Sequence, residues 1–124
     1  MKESPIICIV DDDIDVRASL ENLLRSVGMS VRTFGSAEIF LEEYNQSGVD
    51  CVITDLHMPG MDGLALQEQL NTLGRDFPVI MMTAFPTKSA HEQALRLGAA
   101  AFLEKPIDPD RLIEQLEGML SDGT

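Results

Sequence analysis

The segment CVITDLHMPGMDG, Cys51 to Gly63, joins a run of strand-forming residues to an abrupt turn. Its apolar first half ends on a carboxylate, Asp55, and the chain then breaks at Pro59 and Gly60. A charge at the end of a buried run is costly unless a cation or hydrogen bonds replace the water that it loses. We therefore expect Asp55 to have a partner in the folded protein.

Short apolar runs typical of strands alternate with stretches of helical period on both sides of this segment. The predicted strands are Ile6 to Val10, Ser30 to Phe34, Cys51 to Asp55, Val79 to Met82 and Ala100 to Leu103. Four of them are nearly continuous apolar runs, which is typical of strands covered on both faces, whereas Ser30 to Phe34 alternates as an edge strand does. The pattern predicts an α/β protein of the (βα)5 type, with a doubly wound five-stranded parallel sheet in the order 2-1-3-4-5.

Five helices are predicted between and after the strands. The first ends at Gly28, the second begins after the N-cap Ser36 and stops at residues 45–48 (NQSG), and the fourth runs from Lys88 to Leu97. The fifth begins at Asp108, with Pro109 at its first helical position. In the second, third and fifth helices, the residues expected to face the core are Ile39, Phe40, Leu41, Leu64, Leu66, Leu70, Leu112, Ile113, Leu116 and Leu120.

The length and composition of the chain predict one domain over residues 1–124, with about residues 5–120 ordered. Asp and Glu number 21 against 9 Lys and Arg, and the resulting net charge of −12 disfavours direct contact with nucleic acid. No apolar run is long enough to cross a bilayer, and the N-terminal end lacks a signal-peptide pattern, so we expect a cytoplasmic protein without membrane contact. Cys8 and Cys51 lie inside apolar runs and are expected to be buried free thiols.

Polar residues follow four of the five predicted strands. Asp11, Asp12 and Asp13 follow the first strand, and Asp55 ends the third. Because the carboxyl ends of parallel strands meet at one edge of the sheet, these carboxylates should converge and repel one another unless a cation neutralises them. All of these ligands are hard oxygens, without a His or Cys cluster, and this donor set predicts Mg²⁺ or a similar divalent ion.

The same edge should carry groups suited to phosphoryl transfer. Lys105 follows the fifth strand and offers a positive charge to a phosphoryl oxygen, and Thr83 follows the fourth and offers a hydroxyl. The chain contains neither a P-loop nor a Gly-rich fingerprint, so the acceptor should be part of the protein itself. Asp55 is the candidate, because a carboxylate can attack phosphorus and form an acyl phosphate.

Four motifs, VDDD, TDLHMPGMDG, MTA and FLEKP, resemble in their order and spacing the receiver domain of two-component response regulators, which has the CheY-like form of the flavodoxin-like fold. The resemblance covers nearly the whole chain. It implies that Asp55 accepts a phosphoryl group from a histidine kinase or a histidine phosphotransfer protein. It also implies a Mg²⁺ site with Asp12 and Asp55 as direct ligands, Asp11 acting through water, and the backbone carbonyl of His57.

The resemblance further implies a conformational switch rather than an enzyme acting on other molecules. Thr83 and Lys105 would hold the phosphoryl oxygens, with Thr83 moving towards them, and Phe102 would turn inward behind it. Most relatives have Tyr at this position, so a role of a ring hydroxyl is absent here. The face formed by helix four, strand five and helix five would change and then control an output or a homodimer. That output is expected to be transcription, through a domain or partner outside this sequence.

Further implications and alternatives remain. The resemblance implies a cis Lys105–Pro106 peptide bond. His57 and Phe85 would flank the path of the hydrolytic water, where Phe85 could shield the acyl phosphate.

One alternative function is that of an aspartate-nucleophile phosphatase of the haloacid dehalogenase type, although such an enzyme would need a second acid at the position of His57. Another is an interaction module that is never phosphorylated. The sequence can equally be an excised receiver or a single-domain regulator.

Overall fold

The computed structural model describes residues 4–44 and 48–120. Strands and helices alternate along the chain: β1 (Ile6–Val10), α1 (Ile14–Ser26), β2 (Ser30–Phe34), α2 (Ala37–Glu43), β3 (Cys51–Asp55), α3 (Gly63–Thr72), β4 (Val79–Thr83), α4 (Lys88–Arg96), β5 (Ala101–Glu104) and α5 (Pro109–Leu120). The predicted alternation of strand and helix is therefore confirmed. The predicted stop of α2 falls partly on residues 45–47, which lie outside the described residues.

The five strands form one parallel sheet in the order β2-β1-β3-β4-β5. This order confirms the predicted doubly wound topology, with β2 at one edge. The bounds of β1, β2 and β3 are as predicted, whereas β4 extends to Thr83 and β5 begins one residue later, at Ala101. The pairing of β4 with β5 begins at Ile80 with Ala101 and ends at Thr83 with Glu104, and the Lys105 N–H then donates to the Thr83 carbonyl. The sheet register thus carries Thr83 and Lys105 to the same edge.

Alternate residues of the central strands pack on opposite faces of the sheet, as the strand period of two requires. Ile7 and Ile9 of β1 belong to the core beneath α1 and α5, with Leu24 and Leu112. Their neighbours Cys8 and Val10 belong to the core beneath α2 and α3. Helices cover both faces, and every residue of β3 and β4 is consequently buried.

The prediction that Ile39 is buried was wrong. Helix α2 directs Ala37 and Phe40 into the core, where the Phe40 ring packs on Phe34 and Tyr44 at centroid distances of 5.2 and 4.8 Å. Ile39 is one residue away, about 100° around the helix, and its side chain is 44% exposed. Four other positions expected to face the core are only half-buried: Leu41, Leu64, Ile113 and Leu120.

Both cysteines are buried free thiols, as predicted. Burial raises the pKa of Cys8 to about 11 and that of Cys51 to about 12, so both stay protonated at neutral pH. In the part of the chain that the structure describes, no helix has the length and apolar character that crossing a membrane requires.

Candidate functional site

An acidic cluster occupies the carboxyl edge of the sheet, where the strand order reverses between β1 and β3. Asp11 directly follows β1 and Asp55 is the last residue of β3. Carboxylate oxygens of Asp11, Asp12 and Asp55 all lie within 4.8 Å of one another. Asp11 is fully buried and Asp55 nearly so, whereas Asp12 is exposed. The cluster therefore lies at the bottom of a pocket that opens to solvent.

The start of α1 holds Asp11 in place. Asp13 is the N-cap of this helix, and its carboxylate accepts hydrogen bonds from the backbone of Asp15 and Val16. The backbone N–H of Asp13 in turn donates to Asp11 Oδ1 at 2.9 Å, and Arg17 donates through Nη1 to the Asp11 carbonyl at 2.7 Å. Sequence reasoning did not assign Arg17 to the site. Its position, six residues after Asp11 on the helix that follows, was the available signal.

Lys105 is the partner that the position of Asp55 predicted. Its Nζ lies 2.8 Å from Asp11 Oδ2 and 3.3 Å from Asp55 Oδ2. The lysine follows β5, two strands away from β3, and the Lys105–Pro106 peptide bond is cis. One ammonium group thus faces two buried carboxylates and the exposed Asp12, which leaves the cluster with excess negative charge.

The pKa values reflect this imbalance. Burial and the neighbouring Asp11 raise the pKa of Asp55 above its ordinary value, although Lys105 and the His57 N–H act in the opposite direction. Burial by itself would lower the pKa of Lys105, but its contacts with Asp11 and Asp55 raise it instead. A divalent cation at this point would relieve the carboxylate repulsion, and three oxygen donors are the set that a hard cation prefers. The cluster can therefore bind a metal.

A pocket of about 240 Å³ surrounds the cluster and brings together most of the predicted site residues. Its lining consists of Asp11, Asp12, Asp13, Asp55, His57, Ala84, Phe85 and Lys105. The backbone N–H of His57 lies 3.4 Å from Asp55 Oδ1. The His57 ring meets the Phe85 ring edge to face at 6.2 Å, and the Phe85 side chain is 71% exposed. Two rings thus stand beside the entrance to Asp55.

Thr83 and Phe102 are the two predicted site residues that do not line this pocket. Thr83 lies behind the loop that carries Phe85. It is fully buried at the end of β4, and its Oγ1 accepts a hydrogen bond of 3.0 Å from the backbone N–H of Phe85. The hydroxyl is therefore engaged with its own loop. A rotation of this side chain would have to break that hydrogen bond.

Phe102 lies on β5, away from the pocket, and is half-buried. Its ring stacks on the exposed His91 ring of α4 at a centroid distance of 4.7 Å and an interplanar angle of 19°. Both rings line a cavity of about 710 Å³ between α4, β5 and α5. The stacking depends on how α4 packs beside β5 and had no local signal in the sequence.

A family model for the response regulator receiver domain matches residues 7–117. The chain is similar to the response regulator protein TodT of Pseudomonas putida, with 37% identity over 93% of this chain and 51% of TodT. It is also similar to the transcriptional regulatory protein FixJ of Azorhizobium caulinodans, with 40% identity over 97% of this chain and 57% of FixJ. The chain thus spans about half the length of the curated relatives that it matches.

Solved structures share the fold. The crystal structure of FixJ-N superposes with a TM-score of 0.85 at 32% identity, covering 100% of this chain and 98% of that one.

Proposed function

Because the chain belongs to the response regulator receiver family, which consists of signalling switches, we propose that it is a phosphoacceptor whose Asp55 takes a phosphoryl group from a phosphohistidine. The donor would be a histidine kinase or a histidine phosphotransfer protein in the cytoplasm. The similarity to FixJ, a transcriptional regulatory protein, supports control of transcription as the output.

One observation carries the proposal: Asp55 lies at the point where strand order reverses, in an open pocket, with Lys105 at 3.3 Å and two other carboxylates within 4.8 Å. A purely structural ion pair would not need three carboxylates around a single lysine. Such an excess of negative charge is costly to the fold and suits a site that receives a cation and a phosphoryl group.

The donor set fits Mg²⁺. Asp12, Asp55 and the backbone carbonyl of His57 would hold the ion directly, and Asp11 would act through water. When bound, the ion supplies positive charge that offsets the carboxylates and stabilises the charge on phosphoryl oxygens. Mg²⁺ is suited to this role because it usually keeps several waters and completes its shell with substrate phosphate.

Phosphorylation and dephosphorylation are both reactions of the protein on itself. A carboxylate oxygen of Asp55 attacks phosphorus, the phosphorus–nitrogen bond of the phosphohistidine breaks, and an acyl phosphate forms on Asp55. Lys105 releases its contact with Asp55 and offers its charge to a phosphoryl oxygen, while the Thr83 hydroxyl donates to another. In dephosphorylation, water attacks phosphorus, the bond between phosphorus and the Asp55 oxygen breaks, the protons of the water remain with the phosphate or pass to solvent, and inorganic phosphate leaves an ionised Asp55.

The switch would begin at Thr83. When its hydroxyl turns towards the phosphoryl group, the hydrogen bond from the Phe85 N–H is lost and space opens behind the side chain. Phe102 would then leave the His91 ring and turn inward, which alters the face formed by α4, β5 and α5. An added charge of about −1.5 to −2 is sufficient to bias such a two-state element. This face would contact an output domain or a second copy of the chain.

Intact mass after incubation with acetyl phosphate tests the proposal. The wild type should gain one phosphoryl group only when Mg²⁺ is present, and Asp55→Asn should gain none. Asp110→Asn, which changes an exposed aspartate in the first turn of α5, is the matched control and should gain the group normally.

Two other outcomes would count against the proposal. A folded wild type that stays unmodified would favour the phosphorylation-independent interaction module. Turnover of a small phosphate ester would favour the phosphatase.

A further inference from the structure

The loop between β3 and α3, residues 56–62, contains His57, which lines the pocket around the acidic cluster. Its two ends are held together, because the backbone N–H of Gly63 donates to the Leu56 carbonyl at 2.9 Å. Asp62 then caps α3 through a hydrogen bond of 2.8 Å from the Ala65 N–H. The ends of the loop are thus anchored by its own neighbours.

A residue distant in sequence, Glu38 on α2, also holds the loop, close to the end that leads into α3. Its Oε2 accepts a hydrogen bond of 3.0 Å from the backbone N–H of Met61, across 23 residues. Accepting this bond lowers the pKa of the Glu38 carboxyl below its ordinary value. Helix α2 contributes no residue to the pocket around Asp55, and this contact is a direct link between that helix and the loop.

Gly60 makes the contact sterically feasible. A Cβ at this position would lie 2.6 Å from Glu38 Oε2, closer than real Cβ contacts allow. The backbone of Gly60 also has φ +75°, a conformation that other residues rarely adopt. The loop backbone at Gly60, which carries no side chain, therefore lies directly against the Glu38 carboxylate.

We propose that Glu38 is a positioning residue for the metal site. By holding the backbone at Gly60 and Met61, it sets the position of the loop relative to the acidic cluster and hence the direction of the His57 carbonyl. This inference rests on the proposed function, since it needs that carbonyl as a ligand. Mg²⁺ demands near-ideal octahedral geometry, so a ligand carried by a loop is useful only if the loop is held. Groups that orient metal ligands from outside are known to affect metal affinity strongly.

The test is Mg²⁺ affinity, measured by amide NMR titration of the metal-free protein. Glu38→Ala should weaken binding about two- to fivefold, as expected for the loss of one exposed hydrogen bond that orients a ligand. Glu38→Gln keeps an acceptor oxygen and should bind like the wild type. Glu42→Ala removes the same charge from an exposed position of the same helix and should also leave affinity unchanged. Among these three variants, hydrogen exchange at the Met61 amide should accelerate only in Glu38→Ala.

A second variant tests the same contact from the side of the loop. Gly60→Ala should displace the Glu38 carboxylate and also strain the backbone at φ +75°, so it should weaken Mg²⁺ binding at least as much as Glu38→Ala does. Adding Glu38→Ala to it should produce little further loss, because the contact is already gone. Equal affinity of Glu38→Ala and Glu42→Ala, with a normal wild type, would overturn this inference alone. A wild type that binds no Mg²⁺ would overturn the proposed metal site and this inference together.

Discussion

Replacing Lys105 with methionine should destabilise the metal-free protein, because it leaves two buried carboxylates without their cation. The lysine Nζ lies 2.8 Å from Asp11 and 3.3 Å from Asp55, and only 17% of its side chain is exposed. At an effective dielectric constant of about 20, these distances correspond to gross attractions of roughly 6 and 5 kcal/mol. Methionine matches the lysine side chain as far as Cε and lacks only the ammonium group, so the change removes charge with little loss of packing.

The net loss is smaller than the gross attraction, because the variant no longer has to desolvate an ammonium group. Removing one partner of a buried pair typically costs about 3–5 kcal/mol, and the partial exposure of Lys105 favours the lower end, about 3 kcal/mol. Unfolding entropies of about 2.1 cal/mol/K per residue convert this loss into a fall in Tm of about 10 °C for a chain of this size.

The effect should depend on pH in a defined direction. In the wild type, the raised pKa of Lys105 contributes stability that is fully present at neutral pH and is lost only as the pH rises through that pKa. Asp55 changes the free energy of unfolding with pH in a different way. Because its pKa is raised in the folded state, the folded protein becomes more stable as the pH falls through that pKa and the carboxyl group takes up a proton. Without Lys105 the pKa of Asp55 should be raised further, because no positive charge offsets burial and the neighbouring Asp11. The stability difference between variant and wild type should therefore narrow as the pH falls.

Thermal unfolding followed by far-UV circular dichroism, in the presence of a chelator, measures this effect. Lys88→Met changes an exposed lysine at the start of α4 and should melt like the wild type. Adding Mg²⁺ should stabilise Lys105→Met more than the wild type, because a cation then replaces the missing charge. A Lys105→Met variant that melts with the control at pH 7, or a difference that widens in acid, would refute the reasoning.

Three further predictions concern the site and the switch. Phe85→Ser should shorten the life of the proposed acyl phosphate on Asp55 about threefold, because it removes an exposed ring from the pocket through which water would reach Asp55; timing of phosphate release checks this, and an unchanged lifetime would contradict it. Gly63→Ala should lower the free energy of unfolding by about 1–3 kcal/mol, since a Cβ would overlap the Asp55 carbonyl, and a urea midpoint equal to that of the wild type would contradict this. His91→Ala should remove a ring contact of about 0.5–1.5 kcal/mol and shift Phe102 towards its inward position, visible in NMR spectra of the ring before phosphorylation; unchanged ring signals would count against it.

The topology was predictable because it depends on local signals and general rules. Continuous apolar runs identified β1, β3 and β4 as buried strands, and the handedness of parallel connections left few sheet orders to consider. The convergence of Asp11, Asp55 and Lys105 followed from the same rules, since residues after parallel strands share one edge. The exposure of Ile39 was not predictable to this accuracy, because which side of a short helix faces the sheet depends on how that helix docks.

By itself, the sequence determined which groups arrive at the carboxyl edge of the sheet, because residue order and strand period place them there. Only the tertiary structure decided how those groups are paired. It directs the Thr83 hydroxyl to the Phe85 N–H, stacks Phe102 on His91, and sets Glu38 against the β3–α3 loop. These arrangements depend on side-chain rotamers chosen by close packing between elements that are far apart in the chain, and no local pattern records that choice.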